Sequence, residues 1–353
     1  MEQICLNDVL QQFDISMNIS PYGNGHINDT YCVDGPRYIL QRINTSIFTN
    51  PAELMENIEN VTAFLREKII ASGGNPDRET LTIIRTKDGK SFYQADEQNA
   101  FRVYKFISGT INIEDDKTPE DLYRAGKGFG HFQKLLSDFP VEVLHETIRD
   151  FHNTPKRVEA LKNAIAEDKA GRVSSVEPEI AFALGNAFWA DTVTKGIASG
   201  KIPVRVTHND TKINNILFDQ DTRAAVCVID LDTVMSGSML YDFGDALRIG
   251  GSTASEDETD LSKVMFDTNA FAQFAKGYLC EMKQELTAAE LALLPLSVKL
   301  MTYECGIRFL TDYINGDTYF KIHRKNHNLD RARNQFKLVA DISQKEAQLA
   351  EML

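Results

Sequence analysis

No run of about 18 apolar residues occurs anywhere in the 353-residue chain, so no membrane-spanning helix is expected and a membrane is set aside as a partner. The start, Met1-Glu2-Gln3-Ile4-Cys5, lacks a basic segment followed by an apolar one, which argues against a secretory signal. Cysteine is scarce: Cys5, Cys32, Cys227, Cys280 and Cys305 are odd in number, scattered, and form no C-x-x-C pair. That excludes a disulfide framework and a cysteine zinc site, and it fits a reducing, cytoplasmic setting. Positive charge is short as well. The net charge of −13, with no cluster of lysine or arginine, makes nucleic acid a poor partner, and an anionic nucleotide would need a divalent cation to mediate. No internal repeat or low-complexity stretch is visible.

What is present is an ordinary globular balance, in a chain too long for one ordinary core and long enough for two lobes. Residues 17–108 are strand-rich. Ile19 to Tyr22, Thr30 to Val33, Tyr38 to Ile43, Leu81 to Arg85, Ser91 to Gln94 and Ala100 to Ile107 are β-prone runs punctuated by turn residues. Pro51 opens a helical pattern with Leu54, Ile58, Val61 and Leu65 on one face. After Thr118-Pro119 the period changes. Helices are expected over 121–138, 156–168, 178–199 and 296–314, interrupted by a β-rich insertion at 203–230. The expectation is an α+β, two-lobe fold: an N-lobe over 1–108, a β-sheet with one long helix, and a mainly helical C-lobe over 109–353. A nucleotide would lie between the lobes.

The densest chemistry lies in 204–232. A short strand leads into His208-Asn209-Asp210-Thr211-Lys212-Ile213-Asn214-Asn215, and a hairpin then returns the chain to Asp230. Phosphoryl transfer needs a carboxylate to orient the attacking hydroxyl and accept its proton, and oxygen ligands for the cations on the phosphates. H-x-D-x-K-x-x-N supplies Asp210 for the first task and Asn215 for the second. Asp230 is a further oxygen ligand suited to Mg²⁺. Lys212 has the reach to touch a γ-phosphate. Asp242-Phe243-Gly244 spells the metal motif of protein kinases. A metal aspartate should end a strand, however, and Asp230 does so where Asp242 does not.

Upstream, Pro21-Tyr22-Gly23-Asn24-Gly25-His26 sits between two strand runs, where Gly23, Asn24 and Gly25 would let backbone N–H groups approach phosphates. An ordinary hairpin turn would look the same. On the next strand Gln41 occupies the position where a kinase carries its phosphate-binding lysine, and Arg42 points to the other face. Tyr104, Lys105, Phe106 and Ile107 fall at the expected junction of the lobes, where backbone groups would bond the adenine edge. Near the C-terminus Glu304, Arg308 and Asp312 recur every four residues on one helical face. They form either an ion-pair ladder or the polar wall of an acceptor pocket, with Tyr319 just beyond as a further donor.

The loop at 207–217 with Asp230 resembles the catalytic region of aminoglycoside phosphotransferases and choline kinases. That resemblance implies a protein-kinase-like fold, an ATP-dependent kinase with Mg²⁺, a bracing role for His208, and an acceptor-side role for Asp242. Further segments resemble one branch, the N-acetylhexosamine 1-kinases of bacterial host-glycan pathways. They are residues 21–28, 35–41 (Gln41 included), 44–48, 151–155, 229–233 and 304–310. This implies phosphorylation of the anomeric hydroxyl of N-acetylglucosamine or N-acetylgalactosamine, with His26, Arg308 and Tyr319 at sugar-contacting positions. Two alternatives stay open: a kinase of the same fold for choline, an aminoglycoside, homoserine or another sugar, and a nucleotide-binding module without catalysis.

Overall fold

The computed structural model describes residues 4–23, 28–34, 37–113 and 117–353. The expected site residues Asn24, Gly25 and His26 lie outside them. In chain order the first elements are α1 (Leu6–Gln11), β1 (Ile19–Pro21), β2 (Asp29–Val33), β3 (Tyr38–Asn44), α2 (Pro51–Ala71), α3 (Pro76–Glu79), β4 (Ile83–Ile84), β5 (Tyr93–Asp96), β6 (Asn99–Lys105) and β7 (Thr110–Ile111). Then come α4 (Pro119–Leu135), α5 (Thr154–Glu167), α6 (Glu177–Gly185), α7 (Thr192–Ala198), β8 (Arg205–Thr207), β9 (Ile216–Asp219), β10 (Ala225–Val228) and β11 (Met235–Gly237). The chain closes with α8 (Met239–Gly250), α9 (Thr268–Met282), α10 (Ala288–Asn315) and α11 (His327–Glu351). It forms two compact units, each discontinuous in sequence. One comprises 1–112, 135–149 and 216–236, the other 113–134, 150–215 and 237–353.

The first unit is built on an antiparallel sheet of order β1-β2-β3-β6-β4, with β5 also pairing β6. Central strand β6 is buried from Ala100 to Tyr104, and its period of two sorts the side chains. Phe101 and Val103 join Val33 and Leu40 in a core capped by Val9, Leu10, Phe13 and Ile15 from the N-terminal segment. Arg102 lies on the opposite face, where its Nη1 meets Met55 Sδ of α2 at 4.0 Å. Helix α2 starts where Asn50 caps the Glu53 amide and Pro51 presets the first turn, and it buries Leu54, Ile58, Val61 and Leu65. The smaller sheet β10-β9-β7 completes the unit.

The second unit is mainly helical. Helix α10 is longer than the expected 296–314. Thr287 and Glu290 form a capping box, and the helix continues through Pro295 because its buried face, from Leu294 onward, outweighs one lost backbone bond. The single helix expected over 178–199 is broken instead. Helix α6 ends at Gly185, the Asn186 side chain turns back to the Phe182 carbonyl, and a short 3₁₀ turn precedes α7. Helices α8 and α10 touch backbone to backbone at Gly244, where an added Cβ would lie 2.3 Å from the Ser297 carbonyl oxygen. A rigid carbonyl cannot yield as a flexible side chain can. Gly244→Ala should therefore cost about 1–3 kcal/mol or more of stability, read as an earlier thermal unfolding transition; an unchanged transition would refute the close contact.

Candidate active site

In the second unit, β8 delivers the chain into the loop His208–Asn215, and buried side chains hold that loop from behind. Asp242, on the first turn of α8, is 2% exposed. Its Oδ2 accepts from the His208 amide (2.8 Å) and from Gln133 Nε2 (2.6 Å), and its Oδ1 accepts from the Asn209 amide (2.7 Å). The Thr211 hydroxyl donates to the Asp242 carbonyl at 2.5 Å, and the Tyr278 hydroxyl donates to Gln133 Oε1. Burial pushes the Asp242 carboxyl above its usual range against these donors. Asp242 thus braces the loop rather than lining it. His208 packs edge-on against Phe129 and Phe132 of α4, with ring centroids 6.0 and 6.1 Å away. Asn209 adopts the left-handed conformation (φ 65°), which turns the chain sharply just before Asp210.

Asp210 is partly exposed at the tip of this braced loop. Lys212 Nζ lies 2.8 Å from its Oδ1. Burial pushes the Asp210 carboxyl up, but the Lys212 ammonium and its hydrogen bond, with His208 and Arg248 behind, outweigh burial and hold it below the ordinary value. Asp210 is therefore ionised at neutral pH and able to accept a proton. Asn215 Nδ2 donates to the Asp210 carbonyl (2.8 Å) and to its Oδ2 (3.2 Å). This closes the loop and, among the described residues, leaves Asn215 Oδ1 without a protein partner.

The first unit carries the other expected residues. Asp230 follows β10 by two residues and opens the 3₁₀ turn Leu231–Thr233 in the left-handed region (φ 60°, ψ 57°). Gln41 lies opposite Arg102 in the β3–β6 register. Its Oε1 accepts from Arg102 Nε (3.0 Å) and Nη2 (2.8 Å), and its Nε2 donates to Thr30 Oγ1 (3.2 Å). Arg42 turns to the other face and pairs with Asp29 at 3.4 Å. Gly23 has φ 72°, and an added Cβ would meet nothing within 4 Å, so only its backbone conformation calls for glycine. Along 104–107, the Lys105 amide donates to Thr82 (2.9 Å) and the Phe106 amide to Arg37 (3.1 Å), whereas the Ile107 amide has no protein partner among the described residues. Tyr104 is buried, and Lys105 Nζ pairs with Asp77 at 3.0 Å.

The polar face of α10 is not an ion-pair ladder. Glu304, 1% exposed, accepts from Thr154 Oγ1 (2.6 Å) and meets His152 Nδ1 (2.7 Å). The other ring nitrogen of His152 reaches the Asn209 carbonyl at 3.3 Å, tying α10 to the catalytic loop. Asp312 binds the amides of Thr318, Tyr319 and Phe320 and the side chain of Asn328, and so positions Tyr319. Among the described residues Arg308 makes neither an ion pair nor a hydrogen bond. Its guanidinium sits among Phe151, Tyr319 and Phe320, at 5.7, 6.0 and 5.4 Å from their ring centroids. Arg157 is a site residue that sequence reasoning missed. Burial first, then the positive charge of Arg308, lower its pKa. Its Nη2 holds the Asp150 and Phe151 carbonyls, and its Nε is buried without a partner. Gln133 and His152 were missed as site residues as well. Nothing in the periodicity of α4 or α5 marks Gln133 or Arg157, and His152 could be found only through the segment 151–155.

Among the described residues no group of three or more histidine, cysteine, aspartate or glutamate side chains could cage a metal. Asn215 and Asp230 each carry a hard oxygen of the kind Mg²⁺ takes, an ion that usually uses one or two protein oxygens and completes its shell with phosphates and water. Among the described residues no helix is long and apolar enough to cross a membrane.

A small antiparallel sheet unit, a mainly helical unit and a braced Asp-x-Lys-x-x-Asn loop define a phosphotransferase of protein-kinase-like fold. The chain belongs to the phosphotransferase enzyme family (APH), whose description matches residues 18–278. Among solved structures it is similar to spectinomycin phosphotransferase APH(9)-Ia in complex with ADP and spectinomycin (15% identity, TM-score 0.62, covering 97% of this chain and 98% of that one). It is also similar to a microcompartment-associated aminopropanol kinase (15%, 0.61, 98% of each chain). A third is a choline/ethanolamine kinase family protein from Mesorhizobium loti (13%, 0.54, 95% and 92%). At these identities the likeness is one of fold.

Proposed function

We propose that this protein transfers the γ-phosphate of ATP to the anomeric 1-hydroxyl of N-acetylglucosamine or N-acetylgalactosamine in the cytoplasm. The observation that carries the phosphoryl-transfer part is the ionised Asp210 carboxylate, held at 2.8 Å by Lys212 on a loop braced by Asp242. Asp210 accepts the proton of the attacking hydroxyl. That oxygen forms the new P–O bond as the bond from the γ-phosphorus to the bridging oxygen breaks, and ADP leaves. Lys212, released toward the γ-phosphate, offsets charge on the transferring group. Asn215 and Asp230 would hold Mg²⁺, which neutralises phosphate charge when bound. Gly23, Asn24 and Gly25 would lie along the phosphates, and the Ile107 amide, beside Tyr104, Lys105 and Phe106, would take the adenine edge.

The acceptor assignment rests on the two neighbouring guanidiniums, Arg157 and Arg308. Arg308 has no hydrogen-bond or ion-pair partner among the described residues and sits among three aromatic rings, a surface suited to hydroxyl and acetamido oxygens and to the apolar face of a pyranose. Two positive groups disfavour a cationic acceptor of the choline or aminoglycoside kind. Glu304 and Asp312, the carboxylates that would welcome one, are committed to protein donors. His26 and Tyr319 would complete the sugar contacts, as the resemblance implies.

A coupled ADP-release assay against N-acetylhexosamines, choline, aminopropanol, homoserine and spectinomycin tests this reading. We expect turnover with an N-acetylhexosamine and a product that no longer reduces alkaline copper, because its anomeric carbon is blocked. A still-reducing product would move the phosphate to another hydroxyl, and turnover confined to the amino alcohols would reject the sugar. Arg308→Ala should raise the sugar KM by about 10- to 100-fold, the cost of leaving polar partners unmatched, with the ATP KM nearly unchanged.

A further inference from the structure

Gln41 leaves β3 without the positive charge expected there, and the guanidinium beside it offers an account. We propose that Arg102 is a positioning residue for metal-dependent nucleotide binding. It takes over the missing charge from the neighbouring strand by holding Asp232, and through Asp232 it holds the turn that presents Asp230. The inference rests on the reading of Asp230 as a metal carboxylate.

Arg102 stands in the middle of a strand and is 1% exposed. A guanidinium there is tolerated only when paired and hydrogen-bonded. Gln41 supplies one side of the pairing, accepting from both Nε and Nη2. Asp232 supplies the other, with Oδ1 2.5 Å from Nη2. The second Asp232 oxygen accepts from Asn28 Nδ2 at 2.6 Å, and Asn28 Oδ1 accepts from the Asn44 amide at 3.0 Å. A continuous polar line therefore runs Thr30–Gln41–Arg102–Asp232–Asn28–Asn44 across β2, β3, β6 and the turn after β10. It explains why glutamine serves at position 41. An amide oxygen can accept both guanidinium bonds, whereas a lysine would set a second cation against Arg102.

Asp230 is two residues from Asp232 and sits in the left-handed region, where a non-glycine residue persists only if its surroundings hold it. Anchors just downstream include Arg102 and Asn28 on Asp232, and Asn57 Nδ2 on the Val234 carbonyl at 3.0 Å. Of these only Arg102 carries charge. Without it, Asp232 would be an uncompensated buried carboxylate close to Asp230, and the turn would relax to separate the two.

The decisive experiment is calorimetric titration of ADP into the full-length protein, with and without Mg²⁺, for native protein and for Arg102→Met/Asp232→Asn, Arg102→Lys and Asp230→Asn. The double variant removes both buried charges, so folding is preserved and any loss is not that of an orphaned carboxylate. It should bind metal-free ADP within about threefold of native protein, while the tightening produced by Mg²⁺ falls by about 10- to 100-fold, the usual cost of losing a residue that orients a metal ligand. Arg102→Lys, which keeps charge but not the fork, should give an intermediate loss and decides the matter should the double variant not fold. Native Mg²⁺-dependent tightening in the double variant, or in Arg102→Lys in that event, overturns the proposal. Native tightening in Asp230→Asn would instead overturn the metal assignment of Asp230, which keeps the two failures distinct.

Discussion

Asp210→Asn should lower kcat by about 10²- to 10⁴-fold, the range for removing a general base, while nucleotide affinity persists. The asparagine keeps the shape, one side-chain oxygen for Lys212 and the backbone bond from Asn215, but its amide nitrogen cannot accept from Asn215 and the side chain cannot accept the proton. Single-turnover phosphoryl transfer, monitored beside nucleotide binding, separates the two effects, and near-normal turnover would remove Asp210 from the mechanism. The same pair sets the pH profile. Because Lys212 and its neighbours hold the Asp210 carboxyl below its usual value, the base stays ionised, and kcat should stay level, as pH falls through the ordinary carboxylate range. Removing the ammonium in Lys212→Met leaves only the smaller pull of His208 and Arg248 against burial. The carboxyl then protonates at higher pH, and the acid limb should shift upward.

Asp230→Ala should abolish Mg²⁺-dependent turnover, because Asn215 alone would remain as a protein oxygen for the ion. Asp242→Ala is the informative contrast. Asp242 is buried with its carboxylate oxygens committed to the His208 and Asn209 amides and Gln133, so its loss orphans several buried donors at about 1–3 kcal/mol each. That variant should unfold at lower temperature and turn over slowly, yet its residual activity should saturate at the native Mg²⁺ concentration. A steep rise in Mg²⁺ requirement for Asp242→Ala, with none for Asp230→Ala, would exchange the two assignments.

Local pattern was enough to place most elements of the first unit. The six runs read as strands pair in one antiparallel sheet, and the helix opened by Pro51 begins there, because turn residues and a period of two or 3.6 are local signals. The helix over 178–199 failed at Gly185-Asn186, where the Asn186 side chain joins its own amide on the Phe182 carbonyl and caps the helix. The start of α10 was misplaced at Pro295 because burial outweighed a local breaker. Spacing on α10 likewise could not tell Arg308 from Glu304 and Asp312. Glu304 and Arg308 find their surroundings on segments distant in sequence, Thr154 and His152 for Glu304 and Phe151 for Arg308, whereas Asp312 holds the turn just beyond the helix.

By itself the sequence determined the fold class and the order of the chemistry-bearing residues, since hydrophobic period, turn residues and the Asp-x-Lys-x-x-Asn spacing are properties of neighbouring positions. Tertiary structure alone decided which polar residues are committed and which are left to a ligand. The Asp242 brace on His208, the pairing of Arg102 with Gln41 and Asp232, and the approach of Arg157 to Arg308 join residues tens to more than a hundred positions apart. Burial and charge compensation act through space, and no local pattern records them.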